Sequence, residues 1–397
     1  MWKFLTALMF LLTGFIAKAQ QNVEDSVELR RQIAETIAKA DEGNSAAQLI
    51  CAINYLNESE GFCKNDTLVV HYLQLILKNP DPSDDSPMIA AYMLADYYFR
   101  GEVVEQNDEM GFALEKRAAE AGFNPARFMV GYCYEKGKGV EPNMAYAKEW
   151  YLLAAEHGDA DALINMCRFC HEGWGGEQND DEALKWLKAA VDQENARAQL
   201  LLAMSYYGNY LNIEPDISKA VYWYRKSAEQ GNVVAQFNMG YMYIYGEKVS
   251  QDFSKGIYWM TKAAEQGFAD AQLNIGSCYW QGLGVAKDKQ VAFGWWRQAA
   301  EQGNIEAQYV LGTEVIEESR NIAGKKRAKE ISTEGIYYLE MAAKAGNIDA
   351  PYFLALVYSL GIGVKENRKL SNYWYGEAAR CGNTKAIEWC HRYNIPY

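Results

Sequence analysis

Trp150, Trp186, Trp223, Trp259, Trp295, Tyr338 and Trp374 recur along the chain in steps of 36, 37, 36, 36, 43 and 36 residues. Gly122, Gly158, Gly231, Gly267, Gly303, Gly346 and Gly382 keep the same frame, and Glu194 stands on the rung between Gly158 and Gly231. Two independent ladders at one period define a repeat array. A unit this short cannot bury its apolar face alone, so neighbouring units must stack.

One unit shows how the residues encode the repeat. Ala235, Met239 and Tyr243 are four apart and share one helix face. Gly246 ends that helix, because glycine tolerates the left-handed conformation. Ser254 fits an N-cap for a second helix, which runs through Ile257, Trp259 and Met260 to Ala263 and Ala264 and stops at Gly267. Each unit is thus a helix pair, A then B. Small residues such as Gly240 and Ala263 let the helices approach, and an aromatic fills the space opposite.

In this frame nine units start near Gly43, Ser86, Gly122, Gly158, Asn195, Gly231, Gly267, Gly303 and Gly346. The array then spans 43–381. A capping helix is expected within 20–42 and another within 382–397. The step of 43 marks an insertion, Glu317 to Glu330, which is expected to lengthen the A–B loop of the eighth unit. It carries Arg320, Lys325, Lys326, Arg327 and Lys329, and reads as a solvated loop or a docking point for an acidic partner.

Residues 1–19 read as a signal peptide. Lys3 precedes a short apolar run, and Ala17-Lys18-Ala19 supplies small residues for cleavage before Gln20. The run is too short to span a bilayer, and no later segment is long and apolar enough to do so. The expected location is therefore secreted or periplasmic. A formal net charge of −13 shows no basic face at this level, so nucleic acid is not an expected partner.

The recurring residues resemble the Sel-one-like repeat family, relatives of the tetratricopeptide repeats. The family pattern stands here as Ala271-Gln272, Ile275-Gly276, Tyr279, Gly282-Leu283-Gly284-Val285, Phe293-Gly294-Trp295-Trp296 and Ala299-Ala300-Glu301-Gln302-Gly303. Gly137-Lys138-Gly139-Val140 and Gly361-Ile362-Gly363-Val364 repeat its loop signature. The resemblance covers 86–382 well and 27–85 weakly. It implies an all-α, right-handed α/α superhelical solenoid, with helix A lining the concave side, that holds partners in assemblies. A family of this kind names a fold and a binding style, not a ligand. The Gly-x-Gly loops are not phosphate cradles, since a helix precedes each of them rather than a strand.

By that tetratricopeptide-like geometry, the groove face of helix A falls three, six, ten and thirteen residues after the frame glycine. It collects Tyr92, Phe99, Phe128, Tyr132, Tyr207, Phe237, Tyr241, Trp280, Tyr309 and Tyr352, with Met204 beside them. Arg168, Arg197, Asp96, Glu135, Asp161, His171, Asp270, Glu306 and Asp349 supply polar members. An aromatic groove with scattered carboxylates suits an extended peptide or a glycan strand. The competing expectation is that these rings pack between adjacent A helices.

Cys167-Arg168-Phe169-Cys170-His171 matches the C-x-x-C-H string of c-type haem attachment. It falls inside helix A of an ordinary unit, where Cys170 takes the rung of Tyr243 and Cys167 that of Gly240. A haem there would displace neighbouring helices, so no cofactor is expected, and no second Cys/His pair completes a metal site. Eight cysteines remain after cleavage. An oxidising compartment permits disulfides. Cys381 closes a B helix and Cys390 lies on the next helix, so a bridge would staple the C-terminal cap. The resemblance implies a bridge between these two elements, although the register here differs. Cys51 and Cys63 could staple the N-terminal unit. His71, His157, His171 and His391 lie in different units, and neither H-E-x-x-H nor G-x-S-x-G occurs. The chain is expected to be a scaffold that binds a protein or peptide outside the cytoplasm, not an enzyme. A cell-wall or glycan-binding accessory role is the alternative, with a haem-carrying or hydrolytic enzyme behind it.

Overall fold

The computed structural model describes residues 23–397 apart from 60, 82, 209 and 321–324, with side chains from residue 29 onward except Lys325. The expected signal segment, 1–19, lies outside the described residues. Among them every regular element is an α-helix. α1, Val23–Asp41, stands before nine helix pairs. The first four pairs are α2 Ser45–Asn57 with α3 Asp66–Lys78, α4 Ser86–Arg100 with α5 Asp108–Glu120, α6 Asn124–Lys136 with α7 Met144–Glu156, and α8 Ala160–Glu172 with α9 Asp180–Asp192. Next come α10 Ala196–Tyr207 with α11 Ile217–Glu229, α12 Val233–Tyr245 with α13 Phe253–Glu265, and α14 Ala269–Gln281 with α15 Lys289–Glu301. α16 Ile305–Arg320 pairs with α17 Lys325–Lys344, and α18 Ala350–Leu360 with α19 Arg368–Arg380, before the terminal α20, Thr384–Tyr393. Two compact units make up the chain, residues 1–198 and 199–397, and the boundary falls within α10. In each unit the pairs stack as a solenoid of A and B helices.

The B helices start on a repeated cap. Asn107, Asn143, Asn179, Asp216, Asp252 and Asp288 each accept a backbone N–H of the first turn. In α13 the cap is Asp252, whose Oδ1 accepts from Lys255 N at 3.1 Å, and not Ser254, which lies inside the helix. A carboxylate also favours the positive end of the helix dipole, which a serine hydroxyl does less well. The frame glycines follow the B helices at positive φ, with open space or only ordinary side-chain contact where a Cβ would stand, as at Gly267 (φ 86°). They are there for the backbone and not for room. Glu194 adopts the same conformation at φ 58° without being glycine.

Room is the issue inside helix A. A Cβ at Gly240 would lie 2.8 Å from the backbone nitrogen of Met260, and one at Gly276 2.6 Å from the Trp296 ring. The large residue opposite is Tyr151, Leu187, Tyr224, Met260, Trp296, Leu339 or Tyr375 in successive units, each buried. Each buried side chain of this size is worth about 1.5–3 kcal/mol. In α5 this rung holds Glu115.

A ladder of glutamines ties the second unit together. Gln236 Nε2 donates to Ala228 O (3.0 Å), while its Oε1 accepts from Gln266 Nε2 (2.7 Å). Gln272 repeats this with Ala264 O (3.1 Å) and Gln302 (2.7 Å). Gln308 donates to Ala300 O (3.0 Å), but its buried Oε1 has no partner. The register that holds Gln266 and Gln302 holds Ala345 after α17.

The insertion departs from expectation. Its described residues are helical, Glu317–Arg320 in α16 and from Lys325 onward in α17: these helices are 16 and 20 residues long, where α12 and α13 have 13. Seven extra residues add about two helical turns, so the surplus is absorbed as helix. Ser332 on α17, at the register where Phe253 and Lys289 open their B helices, donates to Gly363 O at 3.0 Å, so the next unit's Gly-x-Gly loop meets the usual start of the B helix and not the added turns.

Candidate functional site

The exposed face of the A helices is built from the positions three, six and ten residues after the frame glycine. The first of these, Asp161, Arg197, Asp270, Glu306 and Asp349, is solvent-exposed and lies at the helix start in all five. Asp270 and Asp349 are fixed from the following units, by Asn304 Nδ2 (2.8 Å) and Asn383 Nδ2 (3.0 Å). Rings on the second position are half-buried and packed ring on ring. Tyr92 meets Phe123 at 5.2 Å, Phe128 meets Tyr151 at 5.4 Å, Phe237 meets Phe268 at 5.2 Å and Tyr352 meets Tyr375 at 5.9 Å. Tyr309 is likewise half-buried, and burial raises its phenol pKa. The third position stays open, with Tyr132 36% and Tyr241 38% exposed. One turn beyond Tyr241, Tyr245 is 49% exposed, 4.5 Å from the Tyr241 ring, and donates to Asn274 Oδ1 at 2.9 Å.

The position thirteen residues on does not belong to this face. Phe99 is buried, and a Cβ at Gly111 of its own B helix would lie 2.6 Å from the ring. Trp280 turns to Phe293 and Trp296 of α15, at 5.8 and 5.5 Å. Glu135 meets Tyr151 of α7, and His171 Nδ1 lies 2.6 Å from Asp180 Oδ1 of α9. The last turn of helix A is pressed against the first turns of its own helix B by the short antiparallel connection. Tyr207 is half-buried, donates to Glu247 at 2.6 Å and carries the Lys248 ammonium 3.7 Å above its ring.

In the first unit a polar knot sits beneath the open face. Buried Glu135 accepts from Tyr151 Oη (2.9 Å), Arg168 Nη2 (2.7 Å) and Lys136 Nζ (2.7 Å). Burial alone would raise its pKa, but these hydrogen bonds together hold it below the usual carboxylate value. Arg168 also lies 5.0 Å from the Trp174 ring, so its guanidinium is fixed by stacking and pairing together. Neither pattern showed in the sequence, because Glu135 and Arg168 are 33 residues apart. Arg197 is exposed and takes no part in this knot.

The C-x-x-C-H string is core. Cys167 and Cys170 are both at 0% exposure, so no porphyrin edge reaches either thiol. Among the described residues no group of three His, Cys, Asp or Glu is placed to hold a metal. Neither expected disulfide is formed. Cys51 is buried while Cys63 is exposed, and Cys390 is buried while Cys381 is exposed at the end of α19. The two members of each pair face different surroundings.

Eight consecutive matches to the Sel1 repeat cover residues 89–123, 124–159, 160–195, 196–232, 233–268, 269–304, 305–347 and 348–383. The chain belongs to the Sel1 repeat family. Sel1 repeats form all-α solenoids that act as protein-interaction scaffolds. A protective antigen of uropathogenic Escherichia coli with an SLR fold aligns over 91% of this chain and 83% of its own, at 26% identity and TM-score 0.61. A Sel1 repeat protein from Oxalobacter formigenes aligns over 81% and 92%, at 27% identity and TM-score 0.56. Among curated relatives, chitin synthase regulatory factor 3 of Schizosaccharomyces pombe is 30% identical over 185 residues, 45% of this chain and 19% of that protein. The chain thus spans about a fifth of that relative's length. Among the described residues no helix is long and apolar enough to cross a membrane.

Proposed function

We propose that this Sel1 repeat chain is a secreted or periplasmic scaffold that holds an extended segment of a protein partner on its A-helix face. The observation that carries this reading is the open ring pair Tyr241 and Tyr245 beside half-buried Phe237. A rigid aromatic with an accessible hydroxyl gives contact area at low entropic cost, and tyrosine is favoured in interfaces for that reason. Asn274 and the asparagine-fixed Asp270 supply polar groups to the same unit's A helices, suited to the backbone of a bound peptide. The relative named a regulatory factor supports a binding role over a catalytic one. The signal-like segment at 1–19 is the basis for the location.

The test pairs location with binding. Mass spectrometry of protein exported from the native host is expected to find Gln20 as the mature N-terminus; intact Met1 in a cytoplasmic fraction would overturn the location. Tyr241→Ala with Tyr245→Ala is expected to leave the melting temperature near wild type, since both rings are exposed. The pair should weaken a partner cross-linked at this face by about tenfold or more. Unchanged partner affinity would remove the A-helix face from the reading. Retention of a cell-wall glycan, lost in the same variant, would shift the ligand from peptide to glycan.

A further inference from the structure

The B helices carry opposite charge in the two units. In the first unit α3, α5, α7 and α9 together hold 11 Asp and Glu against 6 Lys and Arg. In the second, α11, α13, α15, α17 and α19 hold 15 Lys and Arg against 7 Glu. This imbalance is opposed to the chain's own net charge of −13. Several of the cations are exposed and form no ion pair among the described residues, including Lys226, Lys262 and Lys369.

The same basic layer presents tyrosines on one register. Tyr222, Tyr258, Tyr337 and Tyr373 are 50, 53, 57 and 52% exposed. Each stands edge-on to the aromatic that follows it, as Tyr258 does to Trp259 at 4.8 Å. That contact fixes the rings in place. The matching register of the first unit holds Ala113, Glu149 and Lys185, with no ring. The acidic layer has apolar groups of its own: Met110, Met144, Tyr146 and Leu153 are 37–50% exposed.

We infer that the basic, tyrosine-bearing B-helix layer of the second unit docks on the acidic B-helix layer of the first unit of another copy of this chain. Charge of opposite sign and exposed apolar side chains are present on both surfaces, so one sequence supplies both halves of the contact. Opposite patches of this kind steer association and fix its register, while the central rings supply the desolvated contact. The interface uses the B layer, and so stands or falls separately from the ligand face proposed on the A helices.

Sedimentation velocity on the full mature chain at micromolar concentration is the test. Self-association is expected at low salt, weakened by about tenfold or more at high salt. Lys226→Glu with Lys262→Glu and Lys369→Glu is expected to give monomer, as is Glu149→Lys with Glu156→Lys and Asp181→Lys. Mixing these two variants should restore association, because the reversed layers complement each other; circular dichroism confirms that both fold. Monomer in the wild type at low salt, or association that charge reversal leaves unchanged, would overturn the inference. A wild-type monomer that binds polyglutamate through the same lysines would also overturn it, and would assign the layer to a different acidic partner. Tyr241→Ala should not change the outcome.

Discussion

Glu115 occupies a rung that is tyrosine, leucine, methionine or tryptophan in the other units from α7 onward. It is 2% exposed, and its Oε2 has no hydrogen-bond partner. Burial pushes its pKa up to about 9, so the folded chain keeps the proton at neutral pH. The unfolded chain ionises near the usual 4.5. Between those values unfolding releases a proton, and stability falls as pH rises, levelling above about 9. Leucine already fills this rung as Leu187 and Leu339. Glu115→Leu is therefore expected to gain on the order of 2 kcal/mol at pH 8 and less at pH 4.5, where the wild-type carboxyl is largely neutral in either state. Urea unfolding at several pH values checks this. Parallel pH profiles for variant and wild type would show that Glu115 is not the source.

At the scale of the helix, the glutamine ladder explains an orphan. Gln308 Oε1 is buried without a partner because its partner register carries Ala345. Ala345→Gln would place a donor where Gln302 serves Gln272, and is expected to stabilise the second unit by about 1 kcal/mol. The gain should vanish in a Gln308→Ala background; a gain that persists there would come from another source. The repeated Ala-Gln pairs were visible in the sequence, but their bonding was not. A glutamine 30 residues from its partner carries no local sign of it. The helix pairs were legible because glycine, alanine and aromatic recur at fixed offsets within one unit. The A-helix face was legible in part: Phe237 and Tyr241 follow helical periodicity. Phe99 and Trp280 share that periodicity and yet face their own B helices, since the A–B connection decides where the last turn points. The insertion misled for a related reason. A run rich in charge reads as loop, yet Lys, Arg, Glu and Ala all have good helix propensity.

At the scale of the molecule, net charge hid the basic B-helix layer of the second unit, since an overall −13 averages over layers of opposite sign. Only the assignment of each residue to a helix and of each helix to a layer separates them. Stacking also governs stability at this scale, because a repeat mainly touches its neighbours. The C-terminal α20 covers Tyr375, which is 1% exposed and stacks on Trp389 at 4.7 Å with the rings 16° from parallel. Ala378 and Ala379 pack with Ala386 and Cys390 in the same cluster, and Ile387 lies against it. Deleting 384–397 uncovers this surface. The expected cost is on the order of 3–6 kcal/mol, from about 1.5–3 kcal/mol for each large apolar side chain released. The loss should also be graded along the array, because coupling between units is nearest-neighbour. Hydrogen exchange is expected to speed up most in α19 and α18, less in α17, and not in the helices of the first unit. Uniform loss of protection from α2 to α19 would mean that the array unfolds as one cooperative body, and nearest-neighbour coupling would then be the wrong description.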